Sequence, residues 1–286
     1  MAIDTEIQKA FEALTDTQQQ LLIRIIGSFE AGVEVTVNPD SDLCSDQLFV
    51  DYFADLFSVY HSITEYKFEK KSFEFGFKYA CIAAGYVSEI TDNPAHPGED
   101  VTRGDQKISL KTEGGDAEGS FTISKFSEGR FIAKYKTEQE EERIKALALN
   151  DPTRKQQLTE LVELRSTKYL PELLQEFKNT LKHHLGNYDR IIGLKSRPIE
   201  IDGEVAFFRY RLIEIPMGLL KIAFDLTPED CKPLKGNGGT SAVAKIDGKR
   251  VFGVILDGSV EKVRITSIKI DKCITHAEFI VPISIT

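Results

Sequence analysis

The stretch PGEDVTRGDQKISLKTE, residues 97–113, decides the fold because it predicts a β-hairpin with two chemically different faces. A two-residue turn at positions 104 and 105 would pair the two strands and place Asp100 opposite Ser109. Because side chains alternate across a strand, one face would be apolar and the other would carry Asp100, Ser109 and Lys111. Diagonal neighbours on one face lie about 7 Å apart. Asp100 and Lys111 are therefore expected to reach one small cavity.

The residue types on this polar face suit metal-assisted hydrolysis of a phosphodiester bond. Oxygen atoms are the preferred ligands of hard divalent cations, and Asp100 and the carbonyl of Leu110 would supply two of them. A bound cation lowers the pKa of a water ligand. Lys111 would hold the attacking water or the negative charge that develops on the phosphate. The alternative interpretation is an amphipathic hairpin whose polar face is simply solvated.

The order of Asp100, a hairpin, and then Ser109-Leu110-Lys111 resembles the PD-(D/E)xK motif of the restriction-endonuclease-like nucleases. Gly98-Glu99-Asp100 stands in place of the Pro-Asp start, and Ser109 stands where an acid is usual. The stretch SFEFGFKYACIAAG, residues 72–85, is similar to the first core helix of that family, whose acid often completes the metal site. Glu74 is the preferred second acid on this resemblance. The alternatives are Glu113, Glu118 and Glu128.

This resemblance implies an α/β fold with a mixed sheet flanked by helices and a β-rich C-terminal part. It implies a Mg²⁺ cofactor, double-stranded DNA as the substrate and a homodimer that matches the symmetry of its DNA site. The expected function is that of a type II restriction enzyme in a prokaryotic restriction-modification system. A repair or recombination nuclease with the same core, or a non-catalytic DNA-binding protein, remains an alternative.

The chain of 286 residues is expected to form one nuclease unit with three consecutive parts. These are an N-terminal helical layer over residues 1–85, a catalytic core over 86–195 and a β-rich DNA-contacting part over 196–286. One helix is predicted to begin at a cap formed by Asp16 and Gln19 and to end at Gly32, and others are predicted over 47–61 and 72–84, with further helices between about 123 and 185. Strands are predicted over 86–91, 188–194, 205–215, 251–256, 260–270 and 277–283.

The net charge of −9 argues at first against a nucleic-acid partner, but the charge is unevenly placed. Residues 1–66 contain twelve acids against two basic residues, whereas residues 232–272 contain nine basic residues against four acids. A basic C-terminal surface would permit DNA binding despite the total charge. The basic residues proposed to contact DNA are Arg209, Arg211, Lys245, Lys249, Arg250, Lys262 and Arg264.

Composition excludes several other classes of protein. No apolar run approaches the roughly 20 residues of a membrane-spanning helix, and no basic-then-apolar leader opens the chain. We therefore expect a cytoplasmic protein with no membrane partner. The four cysteines form no CxxC pair, which predicts reduced thiols rather than a disulfide framework.

Overall fold

The computed structural model describes residues 2–91, 100–114, 117–128, 146–147, 151–154, 156, 170–233, 240–257 and 262–283. Helices dominate the N-terminal part, with one short strand between the second and the third. The elements are α1 (Ala2–Glu12), α2 (Asp16–Ala31), β1 (Glu34–Val37), α3 (Gln47–Ile63) and α4 (Lys70–Ala83). The three helices predicted in this region are confirmed, with ends that differ by at most two residues.

Helix α2 begins with a capping box that lies one residue earlier than the sequence predicts. We expected Asp16 and Gln19, but the hydroxyl of Thr15 accepts a hydrogen bond from the amide of Gln18, whose side chain accepts one from the amide of Thr15. A hydroxyl followed three residues later by glutamine meets the same requirement for satisfying free amides. Gly32 follows the helix with a φ of 70°, as its position predicts.

A six-stranded mixed sheet forms the centre of the molecule. Its strand order is β1-β11-β6-β5-β3-β2, and only the β3–β5 pair is parallel. The strands added here are β2 (Val101–Arg103), β3 (Gln106–Gly114), β5 (Arg190–Ile201), β6 (Glu204–Glu214) and β11 (Ile274–Pro282). Parallel pairing requires a crossover, and residues between β3 and β5 provide it. The predicted mixed sheet flanked by helices is thus present.

A second, five-stranded antiparallel sheet has the order β4-β10-β9-β8-β7. It consists of β4 (Ser120–Glu128), β7 (Cys231–Pro233), β8 (Thr240–Ile246), β9 (Lys249–Asp257) and β10 (Lys262–Lys269). The predicted β-rich C-terminal part is confirmed. The predicted segment 260–270 corresponds to β10, which ends one residue earlier than predicted, and residues 258–261 lie outside the described part.

The expectation of helix from residue 123 is wrong at its start, because Ser120–Glu128 is strand β4. Phe121 and Ile123 are buried and Thr122 between them is less so. This alternation has the period of a strand facing a core on one side. Residues 129–145, 148–150, 155 and 157–169 of the predicted helical region lie outside the described residues. Its last helix is α5 (Leu170–Leu185).

Two hydrophobic clusters cover opposite faces of the mixed sheet. On one face, α3 and α4 contribute a phenylalanine-rich cluster that includes Phe49, Phe53 and Phe57, as their helical spacing predicts. On the other face, α5, the short helix α6 (Met217–Lys221) and the second sheet contribute the second cluster. The apolar side chains of α2 belong to neither cluster, and Leu21, Leu22 and Ile26 are exposed.

Residues 86–91 are not a regular strand, contrary to the sequence prediction, although they run beside β2. The amide of Thr102 donates to the carbonyl of Glu89, and that of Gly104 donates to the carbonyl of Val87. All four cysteines are free, as predicted. Within the described ranges, no helix combines the length and the apolar character needed to cross a membrane.

Candidate active site

The hairpin of β2 and β3 has the predicted register. Val101 pairs with Ile108 and Arg103 with Gln106, and the turn places Gly104 at a φ of 58°. Asp100 lies just before β2, and its amide donates to the carbonyl of Ile108 rather than pairing with Ser109. The backbone at Asp100 therefore departs slightly from the predicted register.

The side chain of Asp100 nevertheless reaches the predicted partners. Its Oδ2 atom accepts hydrogen bonds from the hydroxyl of Ser109 at 3.1 Å and from the amide of Leu110 at 2.6 Å. The ammonium of Lys111 lies 3.4 Å from the same oxygen and donates to the hydroxyl of Ser109 at 2.7 Å. Ser109 and Lys111 thus both contact Oδ2 of Asp100, so the three predicted side chains lie together.

Glu74 on α4 joins this cluster through Lys70, which the sequence pattern alone did not indicate. The ammonium of Lys70 lies 2.8 Å from Oδ1 of Asp100 and 3.1 Å from Oε1 of Glu74. Lys70 precedes Glu74 by one helical turn, so both side chains leave the same face of α4. The ammonium of Lys70 therefore bridges the carboxylates of Asp100 and Glu74. The helix periodicity of α4 could have identified Lys70 once Glu74 was selected.

Burial and charge act against each other at this cluster. The side chains of Asp100 and Lys111 are 16% and 20% exposed. Burial alone would raise the pKa of Asp100, but the positive charges of Lys111 and Lys70 outweigh it and hold that pKa below its usual value. Burial lowers the pKa of Lys111, and the charge of Lys70 lowers it further, against the opposing effect of Asp100. Asp100 is thus kept ionised beside a partly desolvated lysine.

The other acids considered from the sequence have different partners. Glu113 pairs with Lys195 at 3.0 Å, and Glu118 pairs with three arginines on the mixed sheet. The side chain of Glu128 lies outside the described part of the molecule. Among the described residues, only Glu74 shares a bridging cation with Asp100. No group of three or more His, Cys, Asp or Glu side chains converges there in the part of the chain that the structure describes.

Two residues near the C-terminal end of α5 also lie within electrostatic range of the cluster. Burial, together with the positive charges of His183 and Lys111, lowers the pKa of His184 to about 4. Burial raises the pKa of Tyr188, and the negative charge of Asp100 adds to this effect. His184 and Tyr188 could not be assigned to the site from the sequence, because nothing in the local pattern places the end of α5 beside the hairpin.

Some of the basic residues selected as DNA contacts converge on one groove. A cavity of about 900 Å³ between the two sheets is lined by Arg211, Lys249 and Arg250, together with Glu118. Arg209 lines an adjoining cavity of about 480 Å³, which Glu118 also lines.

The remaining selected residues are less closely grouped. Lys245 is the cross-strand partner of Arg250 on β8 and β9. Arg264 alternates with the buried Val263 and Ile265 on β10. The backbone of Lys262 belongs to β10, but its side chain lies outside the described residues. The groove therefore unites part of the predicted set.

Comparison with known proteins identifies the family of this chain. A model of the family described as SmaI, type II site-specific deoxyribonuclease, matches residues 7–151, slightly more than half of the chain. The matched segment contains Glu74, Asp100, Ser109 and Lys111. The type II restriction enzyme SmaI of Serratia marcescens is 26% identical over 288 residues, and the alignment covers 99% of each protein. No solved structure is significantly similar. The chain therefore belongs to the SmaI family of type II site-specific deoxyribonucleases.

Proposed function

We propose that this chain is a Mg²⁺-dependent, site-specific endonuclease that hydrolyses phosphodiester bonds in double-stranded DNA through a PD-(D/E)xK-type site. The observation that carries the proposal is the convergence of Ser109, the amide of Leu110 and Lys111 on Oδ2 of Asp100. An acid and a lysine on one hairpin, with a second acid on the preceding helix, resembles that motif, although Ser109 stands where the motif usually has an acid. Membership of the type II family supports the same reaction.

The donor set fits a hard divalent cation. Asp100 and Glu74 both contact the ammonium of Lys70, so their oxygens already satisfy one positive charge between them. Oxygen ligands from one or two carboxylates, completed by water and substrate phosphate, are typical of Mg²⁺ sites. The carbonyl of Leu110 would add an uncharged ligand. When bound, Mg²⁺ would lower the pKa of a water ligand and stabilise negative charge on the phosphate.

The chain's own side chains would then position the reactants. Lys111 would orient the attacking water or stabilise the charge that develops on the phosphate, because its ammonium is partly withdrawn from solvent and borders the metal ligand. Ser109 holds Lys111 in this place, since its hydroxyl accepts from Nζ while it donates to Asp100. Asp100 is fixed in turn by the amide of Leu110.

The fold supports a restriction-endonuclease-like core. The catalytic hairpin lies at one edge of a mixed sheet, a helix carrying Glu74 contacts both strands of the hairpin, and β3 continues the sheet through a parallel crossover to β5. An enzyme that cuts both strands of a symmetric sequence matches the DNA dyad most simply as a homodimer. Sedimentation with a duplex containing the cleaved sequence would test this assembly, and one chain per duplex would contradict it.

Digestion of a sequenced phage genome tests the function directly. With Mg²⁺, the wild type should produce discrete fragments whose mapped ends share one sequence, and chelation of Mg²⁺ should stop the reaction. Lys111→Ala should abolish cleavage, whereas Lys107→Ala, an exposed lysine on the same strand, should retain it. Nicking or a continuous smear would favour a repair nuclease, and absence of cleavage by the wild type would refute the enzymatic proposal.

A further inference from the structure

Four basic side chains lie on the same face of the mixed sheet as Lys111. On β3, Glu113 follows Lys111 by two residues and pairs with Lys195 of β5. Lys195 is opposite Arg211 of β6, and the next pair on that face is Arg197 with Arg209. At about 3.3 Å per residue, these two pairs lie about 7 Å and about 13 Å along the strands from the level of Lys111.

This arrangement opposes like charges across neighbouring strands, which is destabilising unless acids or a bound anion compensate. Three carboxylates do so in the free protein, namely Glu113, Glu118 and Glu278. Four cations against three acids leave one positive charge. The Nε atom of Arg209 is buried and makes no hydrogen bond within the described residues, although Oε1 of Glu278 lies 3.5 Å away. The cluster therefore retains an excess positive charge that a further anionic group could neutralise.

Glu118 occupies the centre of this cluster in the manner of a phosphate. Its Oε2 atom lies 2.9 Å from Arg197, and its Oε1 atom lies 2.8 Å from Arg209 and 3.5 Å from Arg211. Guanidinium groups bind carboxylate and phosphate oxygens with the same geometry. Glu118 also lines both cavities described above. Its carboxylate therefore lies between the 480 Å³ cavity, which Arg197 and Arg209 line, and the 900 Å³ cavity, which Arg211 lines.

We propose that Arg197, Arg209 and Arg211 form a binding site for a DNA backbone phosphate near the cleavage centre, and that Glu118 occupies this site until DNA displaces it. This inference rests on the proposed function, because the ligand is the DNA that the cleavage centre acts on. The side chain of Glu118 is 48% exposed. The residue lies between β3 and β4 in the chain. Rotation of that side chain frees the arginines without moving a strand.

The alternative is that Glu118 only anchors the connection between β3 and β4 to the sheet. The two cases differ in the effect of removing its charge. If Glu118 competes with DNA, Glu118→Gln should strengthen DNA binding. If it is only an anchor, the same change should leave DNA affinity unchanged or weaken it through loss of structure.

Fluorescence anisotropy with a short labelled duplex in EDTA measures this effect while the DNA stays intact. Phosphate contacts are independent of sequence, so a non-specific duplex is sufficient, and the salt dependence should be measured from about 50 to about 200 mM. Glu118→Gln should lower the Kd about fivefold and make the slope of log Kd against log salt steeper by about one. Arg197→Gln should raise the Kd about tenfold and make that slope shallower by about one.

Matched controls remove the same charges elsewhere. Glu172→Gln on α5 and Arg24→Ala on α2 change exposed residues outside the basic cluster and should leave the slope at its wild-type value. Thermal unfolding of each variant verifies the fold, and the exposed position of Glu118 keeps the test available if Arg197→Gln fails to fold.

A Glu118→Gln protein with the Kd and slope of its control would overturn this inference alone, provided that the wild type binds and cleaves DNA. A wild type that neither binds nor cleaves DNA would overturn the proposed function as well.

Discussion

Replacing Lys111 with methionine should separate cleavage from stability. The change keeps the aliphatic stem and removes the ammonium that lies 3.4 Å from Asp100. At an effective dielectric constant of about 20, that ion pair has a gross attraction of about 5 kcal/mol. Withdrawing the ammonium from water costs several kcal/mol, which offsets most of this attraction. Because Asp100 keeps Lys70 as a partner, its charge stays compensated, and we expect the free energy of unfolding to change by less than about 2 kcal/mol.

The effect on cleavage should be much larger. A charge that stabilises the reacting phosphate contributes about 100- to 1,000-fold to the rate. Single-turnover cleavage of plasmid DNA with saturating Mg²⁺ should therefore slow by at least about 100-fold in Lys111→Met. Urea unfolding provides the stability, and Lys107→Met on the same strand provides the control. A variant that loses more than about 3 kcal/mol of stability, or that cleaves at nearly the wild-type rate, would refute this reasoning.

Three further predictions concern the proposed metal site, a buried histidine and the sheet. Lys70→Met should raise the affinity for Mg²⁺ about fivefold, because the ammonium of Lys70 competes with the cation for both carboxylates. The readout is a larger Mg²⁺-dependent rise in Tm than the wild type shows without DNA. The control variant Lys71→Met should show the wild-type rise, and the same rise in Lys70→Met would contradict the prediction. Burial lowers the pKa of His61 to about 4, so only the unfolded chain binds its proton between about pH 6.5 and about pH 4. As the pH falls from about 7.5 to about 5, His61 should therefore lower the free energy of unfolding by about 2 kcal/mol. His61→Gln should remove this part of the pH dependence of stability, and equal pH profiles for the variant and the wild type would refute the prediction. Gly193→Ala should cost about 1–3 kcal/mol in urea unfolding, because its Cβ would lie 2.9 Å from Phe121; a neutral effect would show that the ring can move.

The sequence predicts the β2–β3 hairpin well because two local rules agree there. Gly104 allows the tight turn, and the alternation from Val101 to Lys111 separates an apolar face from a polar one. The helix that carries Glu74 is also predictable from its spacing and its terminal glycine. These features depend on neighbours within a few residues, so the sequence contains most of the information.

Features that depend on distant pairings could not be predicted in the same way. Strand β4 was expected as helix because its partner, β10, lies more than a hundred residues later in the chain. Lys195 and Arg197 lie outside the basic segment 232–272, and their role becomes visible only through the register of β5 with β6. Likewise, the contact of Lys70 with Asp100 depends on how α4 packs against the hairpin.

The most direct test of the central claim is the cleavage rate of Asp100→Asn. Asp100 accepts from Ser109, Leu110 and Lys111, and an asparagine of the same shape keeps an oxygen for these donors while it loses the charge. With Mg²⁺ and a duplex containing the mapped site, the wild type should cut both strands and the folded variant should show no cleavage above the enzyme-free blank. Cleavage by Asp100→Asn within a few-fold of the wild-type rate would contradict the assignment of this centre.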